Sequence, residues 1–167
     1  MKILIAPDKF KGSLSGEEIC ALLTKELTSM GEVASCPLAD GGDGSLEVLK
    51  NYLPWKKIIC DAVDPLGRPN TATYYLHEKT AYIELAVASG LVLLQEDERN
   101  PMHTSTYGTG LVIKDALLNG AECIYLFLGG SSTNDGGMGI AHALGYQFKD
   151  ENGDVLPSVG SSLGTIV

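Results

Sequence analysis

The sequence predicts an α/β fold: a largely parallel sheet with flanking helices, plus a mixed α/β second lobe or insertion. Three observations predict it. Short apolar runs of strand length enter polar, glycine-rich loops, and segments of helical periodicity follow those loops. Between residues 57 and 85 the pattern changes to alternation, as in strands joined by tight turns. The composition, 44% hydrophobic with 20 glycines in 167 residues, suits a loop-rich globular chain long enough to bury a core.

Ile3-Leu4-Ile5-Ala6 is a continuous apolar run of the kind that forms a buried parallel strand. A helix is predicted from Ser15, where Ser15 and Glu18 match a capping box. Its apolar face is Ile19, Leu22, Leu23, Leu27 and Met30, and Gly31 is its stop. Residues 33–38 read as a second strand and 45–52 as a short helix. Residues 57–63, 71–76 and 81–85 read as strands, the last two joined by a turn at His77-Glu78-Lys79-Thr80. Leu111, Val112, Ala116 and Leu117 mark a helix that stops at Gly120. Residues 123–128 are a further strand, 136–144 a last helix, and 146–149 a strand turning at Asp150-Glu151-Asn152-Gly153. Residues 1–60 are expected to form a first α/β segment and 61–167 a second.

The net charge of −9, from 21 acidic and 12 basic residues, argues against a general nucleic-acid or anionic-membrane binder, which needs clustered Lys and Arg. A small anionic substrate needs only a few local cations. Cys20, Cys36, Cys60 and Cys123 are scattered without a CxxC pair, as expected of buried free thiols in a reducing compartment. The apolar N-terminus is too short for a signal peptide and no stretch approaches a membrane span. A cytoplasmic location is expected, and the sequence leaves a homodimer open.

Loops at the carboxyl ends of strands gather the ligand site in such folds. Here the polar clusters fall at residues 7–13, 39–45, 104–110 and 129–136. In Gly129-Gly130-Ser131-Ser132-Thr133-Asn134-Asp135, glycines admit an oxyanion to the backbone, and amides at the following helix start point towards it. Asn134 and Asp135 add hard oxygens suited to magnesium. The alternative is a glycine-rich turn capped by Asn or Asp. Walker-type GxxxxGK[ST] and dinucleotide GxGxxG patterns are both missing. The first loop offers Asp8, Lys9 and Lys11 to grip an anion, or else solvated turn residues. The second offers Asp40 and Asp43 for magnesium or as a general base, or else an Asp-Gly turn. His77, His103 and His142 are weaker candidates. Trp55, Tyr74, Tyr75 and Tyr82 read as packing before a base platform, and Arg68 reads equally as anion ligand or turn brace.

Six stretches, IAPDKFKGSLS (5–15), PLADGGDGS (37–45), DPLGRP (64–69), IELAVASGL (83–91), NPMHTSTYGTG (100–110) and LGGSSTNDGGMG (128–139), together resemble the type-1 glycerate kinase family, in its order and over almost the whole chain. The resemblance implies ATP- and magnesium-dependent phosphorylation of D-glycerate, with 2-phosphoglycerate the favoured product. It also implies two α/β lobes with a cleft between them. By resemblance, Lys11, Asp40 and Asp135 are catalytic. Gly129, Gly130, Ser131, Thr133 and Asn134 bind nucleotide, Asp8, Lys11 and Asp43 bind substrate, and Asp135 with Asn134 holds the metal. Asp43 and Ser45 stand where the family often has Glu and Thr. Its members are roughly twice as long, so the chain is expected to be an N-terminal part lacking the family's C-terminal half. A non-catalytic domain that binds an anion or nucleotide is the alternative.

Overall fold

The computed structural model describes residues 1–10, 13–50, 52 and 54–167. Strand β1 (Lys2–Ile5) leads through the first loop to helix α1 (Gly16–Leu27) and then to β2 (Glu32–Ser35), which pairs with β1 in parallel. The capping box at α1 is complete. Ser15 Oγ accepts from the Glu18 amide, while Glu18 accepts from the Ser15 amide, so two otherwise orphaned donors are satisfied. Helix α2 (Ser45–Leu49) follows.

A second, four-stranded sheet has the order β3 (Lys56–Val63), β4 (Pro69–His77), β5 (Thr80–Glu84), β6 (Cys123–Phe127). The first two pairings are antiparallel, and β5–β6 is parallel with Glu84 opposite Phe127. The carboxyl ends of β3, β5 and β6 therefore share one end of the sheet. Parallel pairing is thus found in the small sheet and at β5–β6, and the meander supplies the mixed part.

Between β5 and β6 lie α3 (Ala86–Ser89) and α4 (Tyr107–Leu118), and α5 (Met138–Ala143) follows β6. The core forms where α4 covers one sheet face. Ala72, Tyr74, Ala81 and Ile83 meet Val112 and Ala116 there, all at most 1% exposed. Burying a side chain such as Ile83 or Val112 contributes about 1.5–3 kcal/mol. Gly110 allows α5 to approach α4, because a Cβ there would sit 2.8 Å from Ile140 Cα. Tyr74 is packing, its hydroxyl donating to Asp115 at 2.9 Å. On the opposite sheet face, Trp55 stacks on Tyr82 and Tyr82 on Tyr125.

Several elements depart from expectation. Of the apolar face expected for the first helix, Leu22, Leu23 and Met30 are 54%, 41% and 58% exposed. β2 stops at Ser35, short of residue 38. Residues 146–149 form no strand. Asp150 Oδ1 instead accepts from the Asn152 and Asp154 amides, and an isolated Lys149–Val155 bridge is the only β pairing of that segment. All four cysteines are free, but only Cys20 and Cys60 are buried; Cys36 and Cys123 are exposed. No described helix is long and apolar enough to cross a membrane.

Candidate functional site

The four polar loops lie in a continuous chain of contacts. The first meets the second where Lys9 Nζ donates to Asp43 Oδ1 at 2.5 Å. The second meets the last backbone to backbone, with Gly129 N donating to Gly41 O at 3.2 Å. A Cβ on Gly129 would lie 2.4 Å from Gly42 Cα, so only glycine permits this approach. Gly130 has φ +81°, and a Cβ there would lie 3.1 Å from Asp43 Oδ1. The loop at 104–110 braces the last one from behind. Thr104 Oγ1 donates to Ser132 O at 2.9 Å, and Ser132 N and Oγ both donate to Ser89 O.

Asp135, expected as a catalytic group and metal ligand, is held by several hydrogen-bond donors. It is 1% exposed. Its Oδ2 accepts from Thr106 N and Thr106 Oγ1, both at 2.8 Å, and from Gly139 N at 3.1 Å. Its Oδ1 accepts from Gly137 N at 3.1 Å. Three donors thus engage Oδ2 and one engages Oδ1, and the residue also lines the hollow that holds Ser131, Thr133 and Asn134. This geometry makes Asp135 a pin that joins the starts of α4 and α5 to the loop.

Some of the candidates line two hollows, while Asp40, Asp43, Gly129 and Gly130 line neither. One, of about 140 Å³, is lined by Asp8, Lys9, Gly44 and Ser45. The other, of about 270 Å³, is lined by Ser131, Thr133, Asn134 and Asp135 with Leu85 and Thr106. Asp8 Oδ1 accepts from the Lys9 amide. Asp40, exposed, accepts from the Gly42 amide through Oδ1, and no described residue donates to its Oδ2. Ser131 and Thr133 bond each other through their hydroxyls at 2.9 Å. Asn134 is exposed. Lys11 lies outside the described residues. Among the described residues no group of three or more His, Cys, Asp or Glu side chains could hold a metal ion.

Two contributors were missed from sequence. Glu84, 8% exposed at the end of β5, accepts from the Leu46 amide at 2.7 Å and anchors the start of α2 beneath the second loop. Burial pushes its carboxyl above the usual range, aided by Asp43 and opposed by the amides of Leu46 and Gly44 and by Lys9. A lone acid closing an apolar strand run was the available signal. Thr106, which gives Asp135 two of its four bonds, had none. Arg68 resolves as a brace, held by Asp64 at 2.5 Å and by Glu98 at 2.6 Å. Burial alone would raise the Asp64 carboxyl. The Arg68 and Leu66 amides and the guanidinium outweigh it and hold the group below its usual range. His103 and His142 line a separate cavity of about 370 Å³, with His142 Nδ1 2.9 Å from Ser158 Oγ.

Glycine-rich loops meeting at strand ends, with a half-buried lysine among them, sit on a mixed α/β fold. The chain belongs to the glycerate kinase family, whose profile matches residues 3–167. It is 40% identical over 171 residues to glycerate 2-kinase of Escherichia coli K12, covering 99% of this chain and 45% of that protein. It is 41% identical over 172 residues to glycerate kinase of Haemophilus influenzae, covering 100% of this chain and 46% of the relative. A crystal structure of a Salmonella typhimurium LT2 protein, provisionally named glycerate kinase 2, superposes with a TM-score of 0.77 at 37% identity, covering 100% of this chain and 47% of that one. The chain thus spans about half the length of the relatives it matches.

Proposed function

We propose that these loops form part of the centre of an ATP- and magnesium-dependent kinase that phosphorylates D-glycerate, with 2-phosphoglycerate as product. The observation that carries this reading is the Lys9–Asp43 pair set against the Gly129–Gly130 backbone. A lysine in the cleft between the glycine-rich loops supports an anionic substrate there. The names of the relatives supply the substrate.

Phosphoryl transfer demands positioning and charge neutralisation more than covalent chemistry. The glycerate hydroxyl attacks the γ-phosphorus, the new O–P bond forms as the bond to the ADP oxygen breaks, and the hydroxyl proton passes to a carboxylate. Asp40 fits that role better than Asp135, because it is exposed and its Oδ2 is open among the described residues. Lys9, with Lys11 as the second cation of the loop, neutralises substrate or phosphate charge. The Ser131–Asn134 segment and the Gly129 and Gly130 backbone hold the nucleotide phosphates. Magnesium, when bound, would neutralise charge on the transferring group. Asp43 and Asn134 offer the hard oxygens that suit it, and a nucleotide-borne magnesium needs only one or two carboxylates.

The test is a chimera in which residues 1–167 replace the matched region of the Escherichia coli glycerate 2-kinase, assayed by phosphorus NMR with ATP, magnesium and D-glycerate. A 2-phosphoglycerate resonance is expected, with Asp40→Asn slowing its appearance by about 10²–10⁴-fold, the usual contribution of a general base. A folded chimera that binds nucleotide but forms no phosphoglycerate would replace the kinase with a binding domain.

A further inference from the structure

We propose that the cavity of about 370 Å³ holding His103 and His142 is a slot for the purine base of a nucleotide whose phosphates lie in the Ser131–Asn134 loop. The cavity opens where Val63 ends β3, beside the start of α4. Val63, Pro65, Leu66, Pro157 and Val159 give it apolar walls. Tyr107 and His142 add two flat rings, 5.2 Å apart and edge to face. Apolar walls with a few polar groups are the usual lining of a small-molecule site. No lysine or arginine is among the described residues of the lining, and its carboxylate, Asp64, is held by Arg68. A phosphate or carboxylate would find no permanent cation there to offset its lost hydration, whereas a neutral ring gives up little. The slot therefore selects a flat, neutral ligand.

Its polar groups suit the edge of such a ring. His142 Nδ1 lies 2.9 Å from Ser158 Oγ, which leaves Nε2 without a partner among the described residues. A neutral imidazole presents a donor or an acceptor there according to its tautomer, and a purine edge carries both. The His103 ring and the Tyr107 hydroxyl also lack a hydrogen-bond partner among the described residues.

The start of α4 joins this slot to the anion loop. Ser105 and Tyr107 line the slot, while Thr106 between them lines the hollow of Ser131, Thr133 and Asn134. The far wall adjoins the loop as well. Gly160, next to Val159, packs so closely that a Cβ there would lie 3.1 Å from Asn134 O and 2.3 Å from Pro101 O. A loop suited to phosphates and a slot suited to a neutral ring thus sit side by side, as the two halves of a nucleotide require. The inference rests on the reading of the Ser131–Asn134 loop as the holder of nucleotide phosphates.

The chain has three histidines, and the third, His77, serves as the control. It pairs with Thr80 at the end of β4 remote from Pro69 and Val63, about 25 Å along the strand. The experiment follows the histidine ring protons by NMR while the 167-residue chain is titrated with ATP and magnesium. His103 and His142 should shift and His77 should stay in place. Inorganic tripolyphosphate, which carries the charge without the base, should bind about tenfold or more weakly and move none of the three. Val159→Trp fills the slot and His142→Ala removes a hydrogen-bond partner. Each should weaken ATP about tenfold and leave tripolyphosphate affinity unchanged, which also shows that the variant is folded. Adenosine should compete with ATP for the same slot. ATP that binds no tighter than tripolyphosphate and leaves His103 and His142 unmoved, or adenosine that binds together with ATP, overturns the slot and keeps the phosphate reading. Failure of all three ligands to bind removes both.

Discussion

Replacing Asp135 with Asn tests whether this carboxylate is a structural pin or a chemical group. The amide is nearly isosteric, but it has one acceptor oxygen where the carboxylate has two. In the better rotamer the amide oxygen takes the place of Oδ2 and keeps three donors, Thr106 N, Thr106 Oγ1 and Gly139 N. The NH₂ group then faces the Gly137 amide, donor against donor. Leaving that buried donor unsatisfied costs about 1–3 kcal/mol, and the other three bonds each weaken by about 1 kcal/mol on losing their ionic acceptor. Relief of a buried charge offsets part of this, giving a net loss of about 2–4 kcal/mol. For a chain of this size that lowers Tm by roughly 5–15 °C. Calorimetry of Asp135→Asn beside Asp40→Asn is the assay. Asp40 is exposed with a single Asx bond that Asn retains, so its Tm should move by no more than about 2 °C. If Asp135→Asn melts with the parent while abolishing turnover in the chimera, the structural argument is wrong and Asp135 acts chemically.

Gly129→Ala should force the second and last loops apart, since its Cβ would lie 2.4 Å from Gly42 Cα. Nucleotide affinity measured by calorimetry in the chimera should fall at least about tenfold, and unchanged affinity would separate the two loops functionally. Glu84 predicts a pH dependence. Burial raises its folded-state pKa above the ordinary value of 4.5, so its protonated form favours folding. That contribution is complete below 4.5 and is lost as pH rises through the raised folded value. Denaturant titrations should therefore show the parent losing stability relative to Glu84→Gln from pH 4 upwards. A difference constant across the range would contradict this.

The sequence displays most elements because their signals are local. The Ser15–Glu18 capping box, the apolar run before Gly129 and the turn at His77–Thr80 each depend on neighbours a few residues away. The six motifs, read in order, carry the family for the same reason: each is a contiguous string. Burial is less legible. Leu22, Leu23 and Leu4 have the composition of core residues, yet what covers a helix flank or a sheet face depends on polypeptide distant in sequence. Residues 146–149 have a strand's composition and find no partner strand, because pairing is a tertiary event.

The site shows the same division. Which loops are polar and glycine-rich was written in the chain, and so were the residue types suited to handling phosphate. That Lys9 pairs with Asp43 across 34 positions, that Gly129 rests on Gly42 and that Glu84 anchors α2 emerges only once two sheets bring these loops together. Asp135 is the clearest case. Its position in an Asn-Asp-Gly-Gly string suggests a ligand-facing acid, but the role of a carboxylate follows from the donors that surround it. Folding brings Thr106, from 29 residues upstream, to meet it with two of them.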